Sequence, residues 1–175
     1  MAEIQALSKA VVLVARLGIA GLGATLCWAV WQAFDQPRSF VEEAVDVPVI
    51  APPADLALGV ATAIVALPML AMIGVLWRVQ HLFAWYGAGE VLAPQPARHI
   101  RSVGIWILIA ALLSVLSRPL LSVLLTMGNP AGQRALSVSF SSTDFALVLA
   151  GGVMLVLGQV LHHASVVAAE NKAFV

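Results

Sequence analysis

LALGVATAIVALPMLAMIGVLW, Leu56 to Trp77, holds no charged residue. Its about 22 residues rise roughly 33 Å as a helix, enough to cross the roughly 30 Å of hydrocarbon in a bilayer. The rest of the chain repeats the pattern. Apolar residues make up 61% of the 175 positions and charged ones 10%, with a mean hydropathy of +0.98, more hydrocarbon than a water-soluble domain of that length can hide. Ala10 to Phe34 carries one charge, Arg16, and Val103 to Met127 carries only Arg118. Phe145 to Leu161 carries none and reaches spanning length when continued to Ser165. These runs are continuously apolar where barrel strands would alternate. The expected fold is an all-α membrane protein: a four-transmembrane-helix bundle forming a single membrane domain over 1–175, with spans near 10–34, 56–77, 103–127 and 145–165.

The first run is longer than a signal-peptide core, contains Arg16 and ends at Trp28, Trp31 and Phe34 with no Ala-x-Ala-like cleavage site. It therefore reads as a retained helix. Lys9, Arg78, Arg98, Arg101 and Lys172 fall on one side of the membrane, and Arg38 and Arg134 on the other. Five against two places the first group in the cytoplasm, together with both termini, the 78–102 loop and the 166–175 tail. Asp35, Glu42, Glu43, Asp46, Asp55 and Asp144 all fall on the opposite side, so a net charge of +0 hides a basic inner face and an acidic outer one. Cys27 has no intrachain partner for a disulfide and reads as a small buried hydrophobe.

The outer loops, 35–55 and 128–144, contain two stretches of period two. Val45 to Ile50 alternates before Pro48, and Arg134 to Ser142 sets Leu136, Val138 and Phe140 against Ser137, Ser139 and Ser141. Period two suggests extended strands, and two readings stand: a small sheet over the outer membrane face, with Pro48 confining its strand to an edge, or two irregular loops. In the inner loop Val79, Leu82, Phe83 and Tyr86 recur at helical spacing with Trp85 beside them, predicting a short amphipathic helix that continues the second span and lies in the interface. Gly87 and Gly89 can end it, and Pro94-Gln95-Pro96 predicts a turn before Arg98, His99 and Arg101 enter the third span. These aromatics and cations either anchor helices at the interface or form a docking surface for a partner or anionic lipid. The tail ends in Glu170-Asn171-Lys172-Ala173-Phe174-Val175, an apolar terminus on a polar stem that packs on the inner loop or meets another protein.

Ionisable groups inside spans are costly and need partners. Arg118 stands about nine residues, roughly 13 Å, from the outer end of its helix, too deep for its stem to snorkel. Pro119 removes a backbone donor and frees a carbonyl near Arg118, Ser114 or Ser122. Pairing of Arg118 with Asp144 or with freed carbonyls is the structural expectation, and substrate or ion handling is the alternative. Arg16 lies near the inner boundary at the depth expected for Gln159, predicting a weak interhelical hydrogen bond between them. Ala20, Ala24, Gly18, Gly21, Gly151 and Gly158 provide small surfaces for helix packing. His81, His99, His162 and His163 have neither the Cys partners nor the His-x-x-x-His spacing of a metal site. No phosphate-binding, dinucleotide, nucleophile-elbow or paired-carboxylate signature occurs. A non-enzyme without cofactor or metal is expected, with no direct contact to nucleic acid.

The run Ser137 to Ser142, Leu147 to Leu161 with Gly151-Gly152, His163-Ala164 and Ala169 to Val175 resembles the close of a bacterial inner-membrane family carrying a domain of unknown function. Leu82-Phe83, Gly89-Glu90-Val91-Leu92 and Arg98 to Gly104 are similar to that family's inner loop, and the likeness extends over most of 56–175. The chain departs from the pattern at Ala93-Pro94-Gln95-Pro96, where members carry Ser or Thr with Asn, and at Ala173, where they carry Thr. The resemblance implies a four-helix protein ending in a Glu-Asn element and encoded beside a Cro/Xre-type helix-turn-helix regulator. The expected function is a sensor or tether that holds such a regulator through Phe83, Trp85, Tyr86, Arg98, Arg101, Glu170, Asn171 and Phe174. A small oligomeric transporter or channel using Arg118 and the Pro119-broken third helix, and an accessory subunit of a larger membrane complex, are the alternatives; the small-residue faces also suit a homo-oligomer.

Overall fold

The computed structural model describes residues 2–87, 94–130 and 132–173, and the side chains of 2–4, 86–87, 94–96 and 168–173 lie outside that description. The order is α1 (Ala2–Asp35), α2 (Pro37–Ala44), α3 (Asp55–Gly87), α4 (Pro94–Thr126) and α5 (Ser142–Ala173). Four of these are long and apolar enough to cross a membrane, and the chain is an all-α, multi-pass membrane protein in contact with lipid. With 32 to 34 residues each, the long helices measure about 50 Å and overrun the hydrocarbon by roughly 20 Å.

The bundle is an open row. α1 packs on α3, α3 on α4 and α4 on α5, while α1 and α5 do not pack on each other. Close contacts set the levels along it. Ser8 of α1 donates to the Phe83 carbonyl of α3, and Gly18 lies against Leu76. Gly74 lies under the Trp106 ring, and Gly104 of α4 meets the backbone of Gly151 and Leu155 on α5 so closely that a Cβ there would stand 2.9 Å from both. Small residues permit this approach because in lipid helices associate through packing rather than through exclusion from water.

Two ends result. The acidic end carries α2 and the 127–141 connection; the basic end carries Lys9, Arg78, Arg98 and Arg101. The hydrophobic cluster of Ala33, Phe40, Val41, Val45, Leu58, Ala61, Leu121 and Leu125 lies at the acidic end, where α1 to α4 meet. α2 was not foreseen in the first outer loop. Pro37 starts it at the first helical position, where a missing N–H costs nothing, and Phe40 and Val41 are its buried pair.

Three loop expectations need correction. Among the described residues there is no strand, so the outer loops do not form a sheet; their backbone groups are bonded by α4 side chains instead. Residues 78–87 do not lie flat in the interface but prolong α3 without a break. In the described part of their apolar stripe Leu82 is buried, and Ser8 of α1 donates to the Phe83 carbonyl. Pro94 begins α4 rather than making a turn, since proline is pre-set for a helix's first turn.

Two span prolines also interrupt backbone bonding. Pro68 in α3 deprives the Ile64 carbonyl of its helical donor. Ser117 of α4 stands 3.4 Å from that carbonyl while donating at 2.6 Å to Leu113 of its own helix. Near Pro119 the hydroxyls turn elsewhere: Ser122 donates to the Pro119 carbonyl at 2.9 Å, and Ser114 leaves the helix altogether.

Candidate functional site

Ser141 caps α5. Its hydroxyl accepts the Asp144 N–H at 3.1 Å, and the Asp144 Oδ2 accepts the Ser141 N–H at 2.9 Å and its hydroxyl at 2.8 Å. This is a reciprocal capping box with Asp in the place of Glu, and the carboxylate also meets the positive end of the helix dipole. α4 closes on the box from the side. Ser114 donates to Asp144 Oδ1 at 2.9 Å, and Arg118 Nη1 pairs with Asp144 Oδ2 at 3.1 Å. The remaining guanidinium donors reach the Ser139 carbonyl at 3.0 Å and the Ser141 hydroxyl at 3.3 Å. Asp144 is 4% exposed in its side chain and Arg118 34%, so the acid is fully committed while the base keeps one flank open.

The pair is one rung of a longer device. Ser122 accepts the Ser137 N–H at 3.0 Å. Thr126 accepts the Ala135 N–H at 3.2 Å and stands 3.2 Å from the Ala135 carbonyl. Arg118, Ser122 and Thr126, four residues apart on α4, thus hold residues 139, 137 and 135, two apart on an extended chain. The spacings agree because four helical residues rise about 6 Å and two extended residues about 6.7 Å. Leu136, Val138 and Phe140 point away, 66%, 60% and 75% exposed. Since Arg118 lies about 12 Å below Thr126 along the helix, α5 starts at that depth, and the extended segment fills the space that its first turns would occupy.

Asn129 ends the ladder. Its Oδ1 accepts the N–H groups of Ile50 and Ala51 at 2.9 and 3.2 Å, and its Nδ2 donates to the carbonyls of Pro48 and Gln133, both at 3.1 Å. At 2% exposure, one amide ties the two outer connections together with all four of its bonds. The sequence reading does not reach Asn129 or Thr126, and it places Ser122 only beside the carbonyl freed by Pro119. The serine alternation of 137–141 was a signal for one side of the ladder, and the i, i+4 spacing of 118, 122 and 126 could have supplied the other.

The expected Arg16 to Gln159 bond does not form. Gln159 pairs with His163 of its own helix at 3.1 Å, and Arg16 is exposed. The reason is the open row, which places α1 and α5 at opposite edges.

Of the residues expected to bind a partner, Phe83 and Trp85 are half-buried on α3 and Arg98 and Arg101 exposed on α4. The side chains of Tyr86, Glu170 and Asn171, and all of Phe174, lie outside the described residues. His81 stacks on Trp77 with ring centroids 5.7 Å apart and bonds the Trp77 carbonyl at 3.1 Å. Across the helix pair His99 stands 6.4 Å from His81. Arg98 and Arg101 face Gln159 and His162 across a cleft of about 130 Å³. Among the described residues the Arg118 to Asp144 pair is the one ion pair, and no group of three metal-ligating side chains occurs. Comparison of the chain with protein-family models, curated proteins and solved structures finds no match.

Proposed function

We propose that the chain is a non-enzymatic sensor or tether of the bacterial inner membrane, both termini cytoplasmic, whose basic end holds a cytoplasmic regulator of the helix-turn-helix type. The observation that carries this reading is the unpaired state of that end. α3 and α4 project beyond the uncharged spans with Arg78, Arg98 and Arg101 paired with no acid among the described residues and with Trp85 half-buried at the same end of α3. Arginines and aromatics are enriched at protein-binding surfaces. Arg118, on which a transport reading would rest, is engaged by Asp144, Ser139 and Ser141, which favours a structural role for it.

Affinity capture in detergent, with the full chain as bait and the adjacently encoded regulator as prey, tests the proposal. Retention by the native chain and loss on Trp85→Ala combined with removal of 170–175 is the expected result. Binding that survives both changes counts against it.

A further inference from the structure

We propose that the cleft between α4 and α5 at the basic end is an oxyanion site that takes the phosphate of a phospholipid headgroup. Arg98 and Arg101 lie one turn apart on α4, and Gln159 and His162 one turn apart on α5; with Ala97 and Gly158 they line the cleft of about 130 Å³. Its size falls well below the roughly 300 to 1,000 Å³ of pockets that enclose whole small molecules, but it admits one tetrahedral anion. Gly158 makes the site: a Cβ there would stand 2.7 Å from the Arg101 backbone nitrogen, so only glycine lets the two donor pairs face each other at this distance.

Two observations specify the occupant's charge, and a third shows that a polar partner is missing. Among the described residues the lining contains two guanidiniums and no carboxylate. Neither guanidinium has a hydrogen-bond or ion-pair partner among the described residues. The Nδ1 of His162 is buried with no partner among the described residues, an arrangement that native proteins rarely leave unfilled. Arginine pairs are suited to phosphate because each presents a planar fork of donors.

Position specifies the source. The contacts Gly18 to Leu76, Gly74 to Trp106 and Gly158 to Arg101 set the cleft about one turn outside the uncharged Leu56 to Trp77 run, which is headgroup level. α5 is the last helix of the row, and Val156, Leu157, Val160 and Leu161 on it are exposed. A lipid therefore reaches the cleft sideways, with its acyl chains along that apolar surface. The site shares Arg98 and Arg101 with the proposed tethering surface, but its test contains no regulator, so the two readings fail separately.

Native mass spectrometry of the full chain released from detergent tests the site. The probes are dioleoylphosphatidylglycerol, dioleoylglycerol, which lacks the phosphate, and inorganic phosphate. One phosphatidylglycerol retained per chain, with neither of the other two retained, is the expected result. Arg98→Gln with Arg101→Gln should lower the retained fraction about tenfold, and His162→Phe, which keeps both cations but removes the imidazole nitrogens, should lower it several-fold. Arg16→Gln, at the far edge of the row, should change nothing. Equal retention of dioleoylglycerol, or phosphatidylglycerol retention unchanged in both cleft variants, would overturn the proposal. Inorganic phosphate retained as strongly as the lipid would overturn the lipid source.

Discussion

The two ends of α4 handle polar groups in opposite ways. Towards the acidic end Ser114, Arg118, Ser122, Thr126 and then Asn129 are all bonded, mostly to the backbone of the connections they support. Towards the basic end Arg98 and Arg101 have no partner among the described residues. The hydrophobic cluster is likewise confined to the acidic end. Polar residues thus serve stability at one end and remain available for binding at the other, and the same helix carries both.

This contrast can be broken at the acidic end. Asp144→Leu leaves Arg118 without its carboxylate and removes half of the α5 capping box. The expected loss is about 2 to 3 kcal/mol, less than the roughly 3 to 5 of a fully buried pair because Arg118 is one-third exposed; denaturant unfolding in mixed micelles measures it. The double variant Arg118→Leu, Asp144→Leu should recover part of that loss, since no lone charge remains. Asn129→Ala removes four bonds that no other group can replace and should cost about 2 kcal/mol. It should also release the 45–54 connection to limited proteolysis while α1 and α3 stay intact. Ser122→Ala and Thr126→Val each remove one rung and should cost about 1 kcal/mol apiece. At the small end of the scale, Arg98→Gln and Arg101→Gln should leave the melting temperature unchanged. A marked drop there would show that the basic end also serves stability and would erase the distinction.

Much of the fold was legible because a bilayer makes its demands in plain composition. An uncharged run such as Leu56 to Trp77 has few alternatives, and a charge such as Arg118 inside another run announces that a partner exists. The serine alternation at 137–141 also reported its geometry, although not what it bonds. The neighbour order was not legible. Lipid-facing Val156 and buried Leu125 are equally apolar, so the 3.6-residue pattern that reveals the inner face of a soluble helix is nearly absent here. Without it, the open row could not be told from a closed ring, and Arg16 was matched to Gln159 by depth alone. α2 was missed for a related reason: a single pair of buried residues, Phe40 and Val41, is too short a period to be distinguished from a loop.

The ladder along α4 also gives the extended segment a signature in isotope uptake. The amides of Ala135, Ser137 and Ser141 donate to side chains, whereas those of Leu136, Val138, Ser139 and Phe140 make no hydrogen bond among the described residues. Deuterium should therefore enter at 136, 138, 139 and 140 ahead of 135, 137 and 141, an uneven rhythm usually taken as the mark of a sheet edge, in a segment held by side chains of a helix.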